Sequence, residues 1–137
     1  MADKQNISDD EVAVRDLIEA WADAVRRKDY DGILRSHAAD FVMFDVPPPF
    51  KSVGLDAYRK SWDLFLSWSR GPVRFEIREM DVTAGADVAF AFASMGCEGP
   101  GSDGKPEALD FRPTICLRKI DGRWMIAHEH HSVPAVD

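Results

Sequence analysis

The chain has 137 residues, 45% hydrophobic and 30% charged, with a net charge of −7 and a pI near 5.0. That length suits one domain, 1–137, with one core and no need of staples. The acidic balance argues against nucleic acid as a partner, and no apolar run approaches the ~20 residues of a membrane span.

The N-terminus, M-A-D-K-Q-N, has no apolar stretch of signal-peptide type, so a cytoplasmic protein is expected. Ser8-Asp9-Asp10-Glu11 is a capping box, with Ser8 as N-cap and Glu11 at N3. It predicts a helix to about Arg27, with Val14, Leu17, Ile18, Trp21 and Val25 as the apolar stripe. Arg26-Arg27-Lys28 fits a helix C-terminus favoured by the dipole. Asp29 can cap a short second helix, Tyr30 to His37, and Phe41 to Val46 reads as a strand. Pro47-Pro48-Pro49 has fixed φ and no donors, which makes it a rim. Leu55 to Ser69 predicts a third helix with Leu55, Tyr58, Trp62, Phe65 and Leu66 on one side.

From Gly71 the period becomes two. Val73, Phe75 and Ile77 are apolar, then Met80 and Val82 take that role in the opposite parity, as a β-bulge would produce. Val88 to Cys97 is apolar in both parities: Val88, Phe90 and Phe92 on one side, Ala89, Ala91, Ala93 and Met95 on the other. Such a strand must be covered twice, and helices can cover only one side. A homodimer through the outer sheet face is therefore expected. Glu98 to Glu107 reads as an exposed loop, and Cys97 and Cys116 as reduced, buried thiols.

Leu109 to Lys119 and Arg123 to Val133 form the last hairpin, turned at Asp121-Gly122. Strict alternation puts Trp124, Ile126, His128, His130 and Ser132 on one face. Met125, Ala127, Glu129, His131 and Val133 fall on the other. A two-residue turn pairs Leu117 with Ile126 and Ile115 with His128, with Arg112 on the face of Glu129 and His131. A turn with a glycine bulge puts Arg112 beside His130 and Thr114 beside His128. Either way Arg112 is the cation of the hairpin's outer half. Helices first and antiparallel strands last make an α+β protein, with helices on one face of a curved sheet.

This order, with A-W-A-D-A-V-R-R-K-D-Y-D-G-I, D-F-V-M-F-D-V-P and R-K-I-D-G-R-W-M-I-A-H-E-H-H-S, resembles the nuclear transport factor 2-like superfamily. Within it the chain is most similar to the SnoaL-like, ketosteroid-isomerase-like proteins. The resemblance implies three N-terminal helices packed into a strongly bent sheet, a cone-shaped α+β barrel, and again a homodimer. The last segment also resembles the association domain of calmodulin-dependent kinases. In ketosteroid isomerases a strand of the form D-x-x-x-x-D-P ends in the proton-shuttling base. Asp40 to Pro47 matches with Val46 intervening, which puts Asp45 in that role. The same resemblance places Trp21 where those isomerases keep an oxyanion-donating tyrosine, and an indole N–H can donate but not exchange a proton as a phenol does.

Asp45 lies among Phe44, Val46 and Pro47, a setting suited to a proton acceptor; the plain alternative is a turn carboxylate. His128 and His130 could act as acid or oxyanion donors, or be hydrogen-bonded core residues. On a strand H-x-H can also chelate zinc, but no third ligand is evident and no metal is expected. Trp21, Tyr58, Trp62 and Arg112 are the expected binding residues. The leading expectation is a cofactor-free isomerase- or cyclase-type enzyme acting on a small hydrophobic or carbonyl-containing molecule, with Asp45, His128 and His130 catalytic. The rival is a non-catalytic ligand-binding or association domain on the same cone.

Overall fold

A computed structural model of the chain describes residues 8–68, 71, 73–100 and 103–135, with the backbone alone described for Leu64. Met1 to Asn6, read above for a leader, and Ser69, the expected end of the third helix, lie outside the described residues.

Helix α1 runs Asp9–Arg26, and its N-cap works as the capping box requires: Ser8 Oγ accepts from Glu11 N at 3.0 Å. Helix α2, Tyr30–Leu34, is capped by Asp29, whose carboxylate accepts from Gly32 N at 3.1 Å. It stops short of the expected His37, because that residue opens strand β1, His37–Phe44. The prolines then lead into a two-residue strand β2, Ser52–Val53, and helix α3, Leu55–Ser67. Strands β3 (Phe75–Ala84), β4 (Val88–Pro100), β5 (Pro106–Ile120) and β6 (Arg123–Ser132) complete the chain. The expected loop from Glu98 to Glu107 is shorter, because Glu98 to Pro100 continue β4 and Pro106 and Glu107 open β5. Glu98 pairs with Ala108 and Gly99 with Glu107, so the β4–β5 hairpin projects well beyond the core.

The sheet order is β2-β1-β6-β5-β4-β3, with β1 parallel to β6 and the other neighbours antiparallel. The helices cover one face, and Val14, Ile18, Trp21 and Val25 of α1 are almost wholly buried. The parity slip in β3 is a bulge, with Ile77 opposite Met95 but Glu79 opposite Ser94. It bends the strand while Ile77, Met80 and Val82 all pack against the core.

A second bulge lies in β6. The Asp121-Gly122 turn has both residues at positive φ, 51° and 79°, and Ile120 faces Arg123 across it. Leu117 pairs with Ile126, but Cys116 then pairs with His128, so Ala127 is extra. The two-residue register therefore holds from the turn to Leu117–Ile126 and is lost beyond it, where neither expected register applies: Ile115 faces Glu129, not His128, and Thr114 faces His130. The inward set along β6 is therefore Trp124, Ile126, Glu129 and His131. His128 and His130, expected on that face, lie on the outside with Phe44 and meet its ring edge to face at 4.8 and 5.6 Å between centroids.

Trp124 joins β6 to the start of α1. It is 8% exposed, and its Nε1–H donates to Asp10 at 3.0 Å, which also takes Lys119 at 2.9 Å. Trp124→Ala removes this packing and should lower the unfolding free energy by about 3–5 kcal/mol, measured by urea unfolding. An unchanged midpoint would contradict this assignment of the hairpin.

Candidate active site

Strand β1 buries Phe41 and Met43, and the same alternation turns Asp45 inward just past its end. Asp45 lines a cavity of about 460 Å³ between the end of β1, α3 and the projecting β4–β5 hairpin. The wall is mainly apolar: Met43, Trp62, Phe65, Phe75, Leu109 and Phe111. Trp62, Phe65 and Phe75 meet edge to face at 5.7–6.0 Å between centroids, and Phe75 continues to Phe111 at 5.9 Å. The ionisable side chains facing this space are Asp45, His131, Cys97 and, at the rim, Glu107.

Behind Asp45 runs a chain of buried polar groups. His131 Nδ1 lies 3.3 Å from Asp45 Oδ1, and His131 Nε2 donates to Glu129 Oε1 at 2.9 Å. Glu129 is 0% exposed. Its second oxygen accepts from His37 Nε2 at 2.6 Å and from the Tyr58 hydroxyl at 3.0 Å. Tyr58 in turn accepts from Trp21 Nε1 at 2.9 Å. Burial and the neighbouring Glu129 charge hold the Tyr58 phenol protonated, well above its ordinary range.

Two carboxylates on opposite nitrogens of one imidazole need two N–H donors, so His131 is an imidazolium. Burial opposes that charge, yet the hydrogen bonds to Asp45 and Glu129 and their negative charges raise His131 to about 9. Burial likewise opposes the Glu129 charge. The hydrogen bonds from His131 and His37 overcome it and bring the carboxyl down to about 2. The Trp62 indole N–H adds to the field at the Tyr58 oxygen but has no partner in hydrogen-bond geometry.

Of the expected site residues, Asp45 and Trp62 line the cavity. Trp21 and Tyr58 lie one layer deeper, because they are held to each other and to Glu129. His128 and His130 are carried to the outer face by the bulge at Ala127, and His128 Nδ1 donates to Val42 O at 2.7 Å. Arg112 is also outside, donating to Ser132 Oγ at 3.2 Å, because β5 alternates regularly and Phe111 and Pro113 take the inward places. The residues missed were Glu129, His131 and His37. The available signal was the pattern H-E-H-H, in which a carboxylate and an imidazole two residues on must share a face.

The profile of the SnoaL-like domain matches residues 14–136. A solved NTF2-like protein of unknown function from Pseudomonas putida KT2440 is 34% identical, over 90% of this chain and 86% of that one, with a TM-score of 0.80. A ketosteroid isomerase-like protein from Erwinia carotovora atroseptica is 20% identical over 93% of this chain and all of that one, with a TM-score of 0.76. The association domain of C. elegans CaMKII is 19% identical over 92% and 100%, with a TM-score of 0.69. Comparison with curated proteins returns no match. The fold is thus the cone-shaped α+β barrel of the NTF2-like superfamily. Within that superfamily the chain belongs to the SnoaL-like family. Among the described residues no helix is long and apolar enough to cross a membrane.

The charge cluster fixes how stability depends on pH. His131 is raised from 6.5 to about 9, so its contribution is complete below pH 6.5 and is lost as pH rises through about 9. Glu129 is lowered from 4.5 to about 2, so its contribution is complete above pH 4.5 and is lost as pH falls towards 2. Thermal unfolding should show a plateau between these limits, with an alkaline slope of up to ~1.4 kcal/mol per pH unit. In His131→Asn the alkaline decline between pH 6.5 and 9 should vanish. Its persistence there would assign the decline to another group.

Proposed function

We propose that the protein is a cofactor-free acid–base catalyst, with Asp45 abstracting a proton from the carbon beside a carbonyl of a small hydrophobic molecule. The observation that carries this reading is the cluster Asp45–His131–Glu129 at the wall of the apolar cavity. Asp45 Oδ1 is engaged by His131 and by Val46 N at 2.8 Å, and Oδ2 meets no donor among the described residues. The substrate C–H bond breaks, its proton passes to Asp45 Oδ2, and the electron pair moves onto the carbonyl oxygen. Return of the proton to another carbon gives isomerisation; attack of the carbanion on a second carbonyl gives cyclisation.

Glu129 has a distinct part in this scheme. Asp45 and the His131 imidazolium alone would form a neutral pair. Sharing that charge with Glu129 leaves the cluster at −1, and it becomes neutral when Asp45 takes the proton. The similarity to a ketosteroid isomerase-like protein is consistent with this chemistry.

The test needs no known substrate. A panel of small apolar ketones is incubated in D2O and exchange of their α-protons is followed by NMR. The protein should catalyse exchange, and Asp45→Asn should remove it while melting temperature and ketone binding stay nearly unchanged, since Asn keeps the shape and loses the base. Exchange unaffected in Asp45→Asn would remove Asp45 as the base. Bound ketones without any exchange would favour a ligand-binding domain.

We also propose that a second copy of the chain covers the outer sheet face. Val88, Phe90 and Phe92 of β4 are 61%, 46% and 51% exposed there, and Phe44, across β5 and β6 on β1, is 38% exposed. The similarity to an association domain is consistent with self-assembly. Light scattering should give twice the chain mass of 15.4 kDa, and Phe92→Glu should return the single mass. A wild-type mass of one chain at micromolar concentration would overturn this.

A further inference from the structure

The polar and charged groups around the cavity restrict what can occupy it. Among the described residues no Lys or Arg lines it; Arg112, the cation expected there, is on the other face of the sheet. The His131 charge is already divided between two carboxylates. Asp45 and Glu107 therefore leave the space acidic, and an anionic ligand would be desolvated beside like charges with no free cation among the described residues to meet it.

The walls restrict it further. Phe65, Trp62, Phe75, Phe111 and His131 form a continuous series of ring contacts, with centroids 5.7–5.9 Å apart along the series. Such a wall presents ring edges and faces that pair favourably with another flat π-system, by about 0.5–1.5 kcal/mol for each contact beyond area burial. The volume, about 460 Å³, lies towards the small end of ligand pockets, roughly 300–1,000 Å³. The polar function that remains available inside, among the described residues, is the acceptor at Asp45.

We infer that the cavity selects an uncharged aromatic molecule of one or two rings bearing a phenolic or enolic hydroxyl. The hydroxyl donates to Asp45, the ring lies against the Trp62–Phe75–Phe111 wall, and carboxylate- or phosphate-bearing relatives are refused. This rests on the reading of the cavity as the functional site and names its ligand class.

The experiment is calorimetric titration of the wild-type protein at neutral pH with three probes of similar size: 2-naphthol, 2-naphthoate and trans-2-decalol. 2-Naphthol should bind, and naphthoate should bind at least about tenfold more weakly because its charge is uncompensated. Decalol, which keeps the hydroxyl and loses the π-system, should be weaker by roughly three- to tenfold. Leu109, at the rim and 47% exposed, tolerates a longer side chain. Leu109→Lys supplies the missing cation and should narrow or reverse the naphthol preference over naphthoate. Naphthoate or decalol binding wild type as tightly as naphthol overturns the inference, and so does failure of all three to bind. These titrations do not involve turnover. Naphthol selectivity without α-proton exchange would defeat the catalytic reading alone, and exchange with a preference for naphthoate would defeat this one alone.

Discussion

The structure depends on one buried charge. Glu129 has no exposed surface and receives hydrogen bonds from His37, Tyr58 and His131. Those donors come from the start of β1, from α3 and from the end of β6, so one carboxylate joins a helix to two strands. A carboxylate cannot be buried without such partners, because desolvation costs several kcal/mol. Any arrangement that separates α3 from β6 strands it. The position of α3 over the sheet is therefore set by hydrogen bonds of fixed geometry as well as by apolar packing. The cavity that α3 borders takes its shape from the same constraint.

The sheet serves two purposes with one set of strands. Its inner face carries the core, then Asp45 and His131 where the helices no longer reach. Its outer face carries Val88, Phe90 and Phe92 on β4 and, across β5, the group of Phe44, His128 and His130. Bulges reconcile the two. In β3 the extra residue lets a strand that changes parity keep its apolar side chains on the core. In β6 it lets Trp124 and Ile126 pack inward and still leaves Glu129 and His131 facing His37 and Asp45.

Much of the fold was legible in the chain. The cap at Ser8, the Asp29 cap, the three helices and the Asp121-Gly122 turn follow from local rules that act within a few residues. The bulge in β3 could be read because its polar residues alternate with apolar ones, so a slip shows. In β6 the same event was silent. Beyond Ile126 both parities carry histidine, and Ala127 fits either face, so no hydrophobic penalty marks the wrong register. Asp45 was singled out by its likeness to a known strand pattern and by its apolar neighbours. His37 and Glu129 meet across 92 positions of sequence. Only the parallel pairing of β1 with β6, which no local signal announces, brings them together.

The extra residue at Ala127 also bears on how such a chain can change over evolutionary time. Substitution along β6 alters one side chain and leaves the rest of its face in place. Loss of that single codon would straighten the strand and leave both faces as they are, because Glu129 and His131 would then follow Ile126 in strict alternation. Loss or gain of a residue elsewhere between Ile126 and His131, with the bulge kept, would instead exchange the faces of everything beyond it. Related proteins can therefore lack the extra residue and keep the same inward pair, so a change of length should be tolerated at this one point of the segment and not at its neighbours.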